Sequence, residues 1–460
     1  MIPDLSVQSS PDGPVTTIST NEEKANVLNA FFASQTRLDV CRPSPPELPA
    51  ATSNFFSDMR TTPSEVYNVL VRLKPCKAPG SDGITPRLLS ACSCGIAVSL
   101  SRLFNRSFAE ACVPQEWKDA LVVPIFKSGS KSSATNYRPI ALLSLVSKTL
   151  EKIVSVKLSY HLQPFLSSRQ SGFRRKDGTE LQLLRLVQEW SSALDSGKYV
   201  GVVFFDIKKA FDRVWHDGLL CKLQSLGVSG SALQWFHSFL SNRRQRVIVG
   251  NSTSEFQPLH AGVPQGAILS PLLFLVYVND MPDATSAELN LFADDTSAYI
   301  TDKSPAALQT RLQTVVDELE VWFRKWALTF NTVKSALMVV GSRRRVSLSC
   351  SFAACRLYLW PTDQASDLPQ TSWRPPPLQP FMVSSCRVCG EEGLPENWVA
   401  PPSSTPPPTA CHPPDLHDLC PSCAGVCCSG LVWRECCRGQ VPGKDTALSR
   451  PPHHRYQTVR

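Results

Sequence analysis

An α+β fold, with an antiparallel sheet packed on helices, is what this sequence predicts, and three stretches predict it. Residues 200–205 (VGVVFF) form a short apolar run between Gly197 and Asp206, the pattern of a buried strand. Residues 289–300 are apolar, then Asp294-Asp295, then apolar again, the pattern of a β-hairpin. Leu308, Leu312, Val315, Leu319, Phe323 and Trp326 recur at helical spacing and make one apolar stripe.

Along the chain, residues 1–60 begin polar and then carry NEEKANVLNAFFASQ, which puts Val27, Leu28, Phe31 and Phe32 on one helical face. Residues 41–52 are proline-rich and read as a linker. A helix is expected over 64–73, with Pro63 before it and a stop at Lys74-Pro75. The turn-rich 77–83 (KAPGSDG) follows, then a helical stretch over 88–112. Residues 117–126 (WKDALVVPIF) read as a strand pair, or as one strand bulged at Pro124, between basic loops at 127–131 and 136–139. The Leu/Val/Ile spacing of 140–166 predicts an amphipathic helix. Further on, 219–240 is helical with a break at 227–230, 243–249 is a strand, and 271–278 is a buried helix.

The chain has 460 residues, a length that allows two to four domains. The longest clean apolar run is 271–278, far short of a membrane span. The start, MIPDLSVQSSPDGP, has neither the basic opening nor the apolar core of a signal peptide. An intracellular protein of nucleus or cytoplasm, without a membrane partner, is the expectation. Composition breaks near residue 345. Residues 346–460 hold 18 of the 38 prolines and 11 of the 17 cysteines, and their charges cancel, so the first 345 residues carry the whole net charge of +8. The basic part is the candidate for a polyanion partner. Its six scattered cysteines suit a reducing compartment without a disulfide framework.

Carboxylates carry the chemistry. Asp206 ends an apolar strand, and Asp294 and Asp295 sit at a hairpin turn. Three such groups brought together repel one another and need cations, and hard ions such as Mg²⁺ take oxygen ligands. Two ions could hold an attacking hydroxyl and a leaving phosphate oxygen. Taken singly, each Asp also fits a plain strand end or turn.

In order along the chain come FDIKKAFDRVWH (205–216), GVPQGAILSPLLF (262–274) and FADD (292–295). Around them stand KAPGSDGI (77–84), PIFK (124–127), NYRPI (136–140), QSGF (170–173) and WALTFN (326–331) with Lys334. Residues 20–342 thereby resemble the reverse transcriptases of non-long-terminal-repeat retrotransposons, the jockey-like branch of long interspersed elements. The resemblance implies right-hand polymerase fingers and palm: an N-terminal helix and linker over 1–60, fingers over 61–198 and palm over 199–342; the Pro/Cys-rich composition of 343–460 reads as a disordered or non-homologous tail. It implies an RNA-directed DNA polymerase joining deoxynucleotides to a primer 3′-hydroxyl, with RNA template, DNA primer and dNTPs as partners and two Mg²⁺ or Mn²⁺ ions as cofactors. Oligomeric state is left open.

Residue by residue, the resemblance makes Asp206 and Asp294 the ligands of the two metals, with Asp295 beside them as the third catalytic and metal-site carboxylate. Lys127 and Arg138 would hold the triphosphate, as a point charge and a planar fork; solvated loop charge is the other reading. Phe211 would crowd a ribose 2′-hydroxyl, or be a core Phe. Gly262, Gln265 and Gly266 would form the loop under the template–nucleotide pair, glycine allowing close backbone approach, or a plain turn. Lys334 is a candidate proton donor to pyrophosphate, or a surface lysine. Trp322 and Trp326 read as core, and His216 as structural.

Two departures are expected. The family would continue past Gly341 into a helical thumb, and no thumb pattern is visible in 346–460; nor does an endonuclease domain precede the match. The alternative function is therefore a catalytically silent, nucleic-acid-binding remnant. The pairs Cys386/Cys389 and Cys420/Cys423, with His412 or His417, have the outline of a zinc site, but 30 proline-rich residues separate them and zinc is not expected.

Overall fold

In the computed structural model, described residues are 2–8, 15–38, 44–174 and 177–341. The expected tail, its cysteine pairs and part of the first linker lie outside them. Helices and sheets are mixed, as expected. Strands β1 (Leu5–Gln8) and β2 (Val15–Ile18) form an antiparallel pair. Helix α1 (Asn21–Ser34) follows, its first turn closed by the Thr20 hydroxyl accepting from the Glu23 N–H at 3.3 Å. Leu28 and Phe32 are buried, while Val27 and Phe31 are half-buried at the margin of that face.

Helix α2 (Pro63–Leu70) begins at its proline, which serves as first helical residue, and Thr62 with Glu65 makes a capping box. It stops three residues earlier than the sequence suggested. The stretch expected as one helix over 88–112 divides at Cys92 into α3 (Pro86–Ala91) and α4 (Ser93–Ala109). After α5 (Gln115–Lys118), residues 119–126 form a single unbulged strand, β3 (Asp119–Phe126). Its partner is β4 (Tyr137–Leu142), antiparallel, with Pro124 opposite Pro139. The Lys127 N–H donates to the Asn136 carbonyl, so bonded rungs alternate from there and 124/139 is a non-bonded one; the two residues without N–H groups cost this ladder no bonds.

The helix expected over 140–166 is shorter. Residues 140–142 belong to β4, and α6 (Leu145–Leu162) starts only after Ser144, whose hydroxyl accepts from the Val146 N–H at 3.2 Å. Apolar spacing in so short a run fits both periods, and pairing with β3 decides between them. Helix α7 (Thr179–Asp195) was not foreseen: Leu181, Leu183, Leu184 and Val187 are exposed and blur its stripe.

Then come β5 (Tyr199–Asp206), α8 (His216–Ser225), α9 (Gly230–Leu240), β6 (Arg244–Val249), β7 (Ser252–Thr253), β8 (Gln257–Pro258), α10 (Ser270–Val278), β9 (Glu288–Phe292), β10 (Asp295–Asp302), α11 (Pro305–Lys325) and β11 (Ala336–Val340). The foreseen strand at 200–205, hairpin, buried α10 and interrupted 219–240 are all present.

Two sheets organise these elements. One has the order β4-β3-β6-β7, with β8 also on β6 and β3 parallel to β6. The other, β11-β5-β10-β9, is antiparallel throughout. Helices cover both faces of β5 over residues 199–203, which is why it is apolar there, whereas Phe204 near the carboxylate end is exposed. On one face Gly201 makes room for α11; a Cβ there would lie 2.6 Å from Leu312 Cδ1. On the other, Val200, Val202 and Tyr299 cluster with Leu186 and Trp190 of α7. Buried Glu151 on α6 accepts from the Ile268 and Leu269 N–H groups at 2.7 and 3.2 Å, tying α6 to the start of α10. Among the described residues no helix is long and apolar enough to cross a membrane.

Candidate active site

Asp206 is the last residue of β5, and Asp295, the first of β10, lies directly opposite it in the antiparallel ladder. Asp294 occupies the tight turn from β9, following Ala293 at a φ of +58°. The sequence-predicted carboxylates therefore meet at one end of one sheet. Burial pushes Asp294 above the usual carboxylate range and the charge on Asp206 adds to this, while Arg138 and Lys127 oppose it. Burial, then the charges of Asp294 and Asp206, push Asp295 up to about 6.

Both basic residues come from the far sheet. Arg138 is on β4, opposite Ile125, and Lys127 follows β3, its N–H donating to the Asn136 carbonyl at 2.8 Å. Lys334 reaches 3.8 Å from Asp206 Oδ2. Lys209, held at a φ of +52°, is depressed by burial and by the positive charges of Lys127, Lys334 and Arg138, while Asp212 opposes the shift. A cationic group thus faces the carboxylates.

The loop 262–266 is packed against this cluster. Gln265 Nε2 donates to Asp212 Oδ1 at 2.8 Å, and the Gln265 carbonyl accepts from the Ala141 N–H at 2.9 Å. A Cβ on Gly262 (φ +91°) would lie 2.7 Å from the Asp212 carbonyl oxygen, and one on Gly266 (φ +127°) 2.4 Å from that of Ala141. The close approach that needs glycine here is to the protein's own backbone. Phe211 stacks on buried Phe274 at 4.8 Å between ring centroids. His216 Nε2 is 2.8 Å from the Gly262 carbonyl oxygen, and burial lowers its pKa, which suits a neutral structural histidine. Trp322 and Trp326 are buried, and the ammonium of buried Lys222 lies 3.7 Å from the Trp326 ring centroid; these tryptophans are core.

Two residues lay inside the quoted segments without an assigned role. Asn331 donates from Nδ2 to Asp206 Oδ2 at 3.1 Å, and its N–H donates to the Asp206 carbonyl at 2.6 Å. Gln170, fully buried, accepts at Oε1 from the Ala293 N–H at 3.0 Å and the Gly172 N–H at 2.8 Å. It clamps the turn that presents Asp294. Neither contact has a local sequence signal, because the partners are more than 100 residues apart.

The donor set fits a hard divalent cation: three carboxylates, all oxygen, two of them raised by burial and by their neighbours' charge. Among the described residues no three His, Cys, Asp or Glu side chains close around an ion on their own. The aspartates would supply part of a coordination sphere, which is the arrangement Mg²⁺ prefers, keeping several waters. With a chelator present, the raised Asp295 opposes folding above about pH 6 and ceases to do so as pH falls toward its unfolded value near 4. Asp295→Asn should therefore raise stability by about 1 kcal/mol at pH 8, after allowance for solvent screening. Little gain is expected at pH 4, and thermal melts at the two pH values check this.

The reverse transcriptase (RNA-dependent DNA polymerase) family matches residues 126–372, more than half of the chain. The chain is 32% identical over 293 residues to the RNA-directed DNA polymerase from mobile element jockey of Drosophila melanogaster, covering 61% of this chain and 32% of that protein. It is 33% identical over 282 residues to the probable RNA-directed DNA polymerase from transposon BS of the same fly, covering 59% and 31%. With a retrovirus-related Pol polyprotein from the type-1 element R2 of Popillia japonica it shares 28% over 297 residues, covering 60% and 39%. The matches thus span about a third of the length of these relatives. The order of motifs read from the sequence, the two carboxylate-bearing strands paired end to end and the extent of the family match all agree, and this chain belongs to the reverse transcriptase family.

Proposed function

We propose that this chain performs RNA-directed DNA synthesis, with residues 61–198 as fingers and the sheet β11-β5-β10-β9 as the core of a palm. The observation that carries the reading is the register that sets Asp295 opposite Asp206 with Asp294 in the adjoining turn, faced by Lys127 and Arg138 from the other sheet. Two divalent ions, Mg²⁺ or Mn²⁺, held by Asp206, Asp294 and Asp295, would stabilise negative charge on the attacking and leaving oxygens.

The chain's own residues do the positioning. Lys127 and Arg138 bind the triphosphate of the incoming deoxynucleotide by charge and by a planar fork. Phe211, backed by Phe274, limits the space at the sugar's 2′ carbon. Gln265 and Gly266 shape the floor beneath the template–nucleotide pair, and Gln265 fixes Asp212. The primer 3′-hydroxyl loses its proton to solvent and its oxygen bonds to the α-phosphorus as the bond to the bridging oxygen of pyrophosphate breaks. Lys334, whose Nζ lies 3.8 Å from Asp206 Oδ2, would give a proton to the leaving group. Most of the rate enhancement comes from position and fixed charge. RNA template and DNA primer are gripped through phosphate contacts that weaken with salt.

The test is incorporation of dTTP by the full chain on poly(A)/oligo(dT) with Mg²⁺ or Mn²⁺. Incorporation that stops on adding EDTA is expected. A folded chain that binds the template–primer yet incorporates nothing with either ion would overturn the reading in favour of a silent binding remnant.

A further inference from the structure

Phe173 is a bulky residue held at a φ of +57°, a region such side chains rarely enter, and the residue is 48% exposed. Neither burial nor easy backbone geometry accounts for it. The segment before it is rigid. Gly172 is packed so closely on the turn before Asp294 that a Cβ would lie 2.3 Å from the Ala293 nitrogen, and Gln170 bonds both Gly172 and Ala293. The backbone therefore sets Phe173 in register with the carboxylate turn. Its ring meets Phe211 edge-on, centroids 6.5 Å apart and planes at 84°. Phe211 has buried Phe274 stacked on it and Phe173 at its edge. Edge-to-face and stacked contacts together restrict both tilt and sliding of a ring. Strain kept at a site whose surroundings enforce it points to a function there.

We propose that Phe173 is a specificity-determining positioning residue: it holds the Phe211 ring from the exposed side and so sets how strongly a ribonucleotide is refused. The inference rests on the reading of Phe211 given above. A ring free to tilt would yield room at the 2′ position, and the first consequence would be wider substrate acceptance.

The experiment compares kcat/KM for dTTP and UTP on poly(A)/oligo(dT), using the full chain and its Phe173→Gly, Phe173→Leu, Phe211→Val and doubly substituted forms. Phe173→Gly removes the ring and its backbone strain together, so the loop keeps its shape. UTP use relative to dTTP should rise roughly tenfold in Phe173→Gly, the scale of one lost aromatic contact. Phe173→Leu should restore part of the discrimination, and Phe173→Gly should add nothing once Phe211 is Val. If Phe173→Gly lowers both nucleotides equally, the residue merely braces its loop and the proposal is overturned. If Phe211→Val leaves discrimination unchanged, the gate reading falls and this inference with it; a change there but none in Phe173→Gly removes the inference alone. Should the full chain incorporate nothing, the ratio of dTTP to UTP binding with Ca²⁺, by equilibrium dialysis, reads the same preference without turnover. An unchanged ratio in Phe173→Gly would overturn the proposal there too.

Discussion

Replacing Asp294 by Ala, or Asp206 by Ala, is expected to lower primer extension at least about a thousandfold while changing template–primer affinity by less than about threefold. The asymmetry follows from where the charges sit. Asp294 is raised by burial and by Asp206, so its removal relieves repulsion and the fold does not suffer. On the proposed reading, nucleic-acid affinity would rest on Lys and Arg contacts to phosphates, to which the carboxylates would contribute nothing favourable. Lys127 and Arg138 remain in place on the β3–β4 hairpin in either variant. The measurement is single-turnover extension beside a filter-binding titration at one salt concentration. Parallel loss of both activities would mean that the aspartates hold the fold together, and the metal-ligand assignment would fail.

The second large effect is expected from a single methyl group. Gly172→Ala would place a Cβ 2.3 Å from the Ala293 nitrogen and 3.0 Å from Gln170 Oε1. Neither neighbour can give way cheaply, because the Ala293 N–H and the Gly172 N–H share that oxygen as their acceptor. The turn carrying Asp294 must shift, and a displacement of about 1 Å at a reacting group costs on the order of a hundredfold in rate. The loss should fall on kcat, with template–primer affinity kept, since the clamp lies beneath the turn. An unaltered kcat would show that the hairpin holds Asp294 without help from residues 170–172.

Part of the candidate site is legible in the sequence. An apolar run stopped by a carboxylate, and a hairpin with two carboxylates at its turn, are local patterns that survive folding; β5, β9 and β10 stand where those patterns put them. The stripe from Leu308 to Trp326 likewise needed only the helical period, and all six of its residues are buried. Where two periods competed, the sequence misled. Residues 140–142 scan as the start of a helix, yet β3 takes them as a strand. Helix α7 was hidden because apolar side chains stand on its exposed as well as its covered side.

By itself, then, the sequence determined which residues carry charge at the ends of apolar segments and in what order they occur. Only the tertiary structure decided that Asp295 faces Asp206, that Arg138 and Lys127 act on Asp294 from another sheet, and that Gln170 and Asn331 hold the two carboxylate segments. Helix and strand periods report neighbours within a few positions. Contacts closing loops of more than 100 residues leave no period in the chain, and they exist only once the sheet has chosen its register.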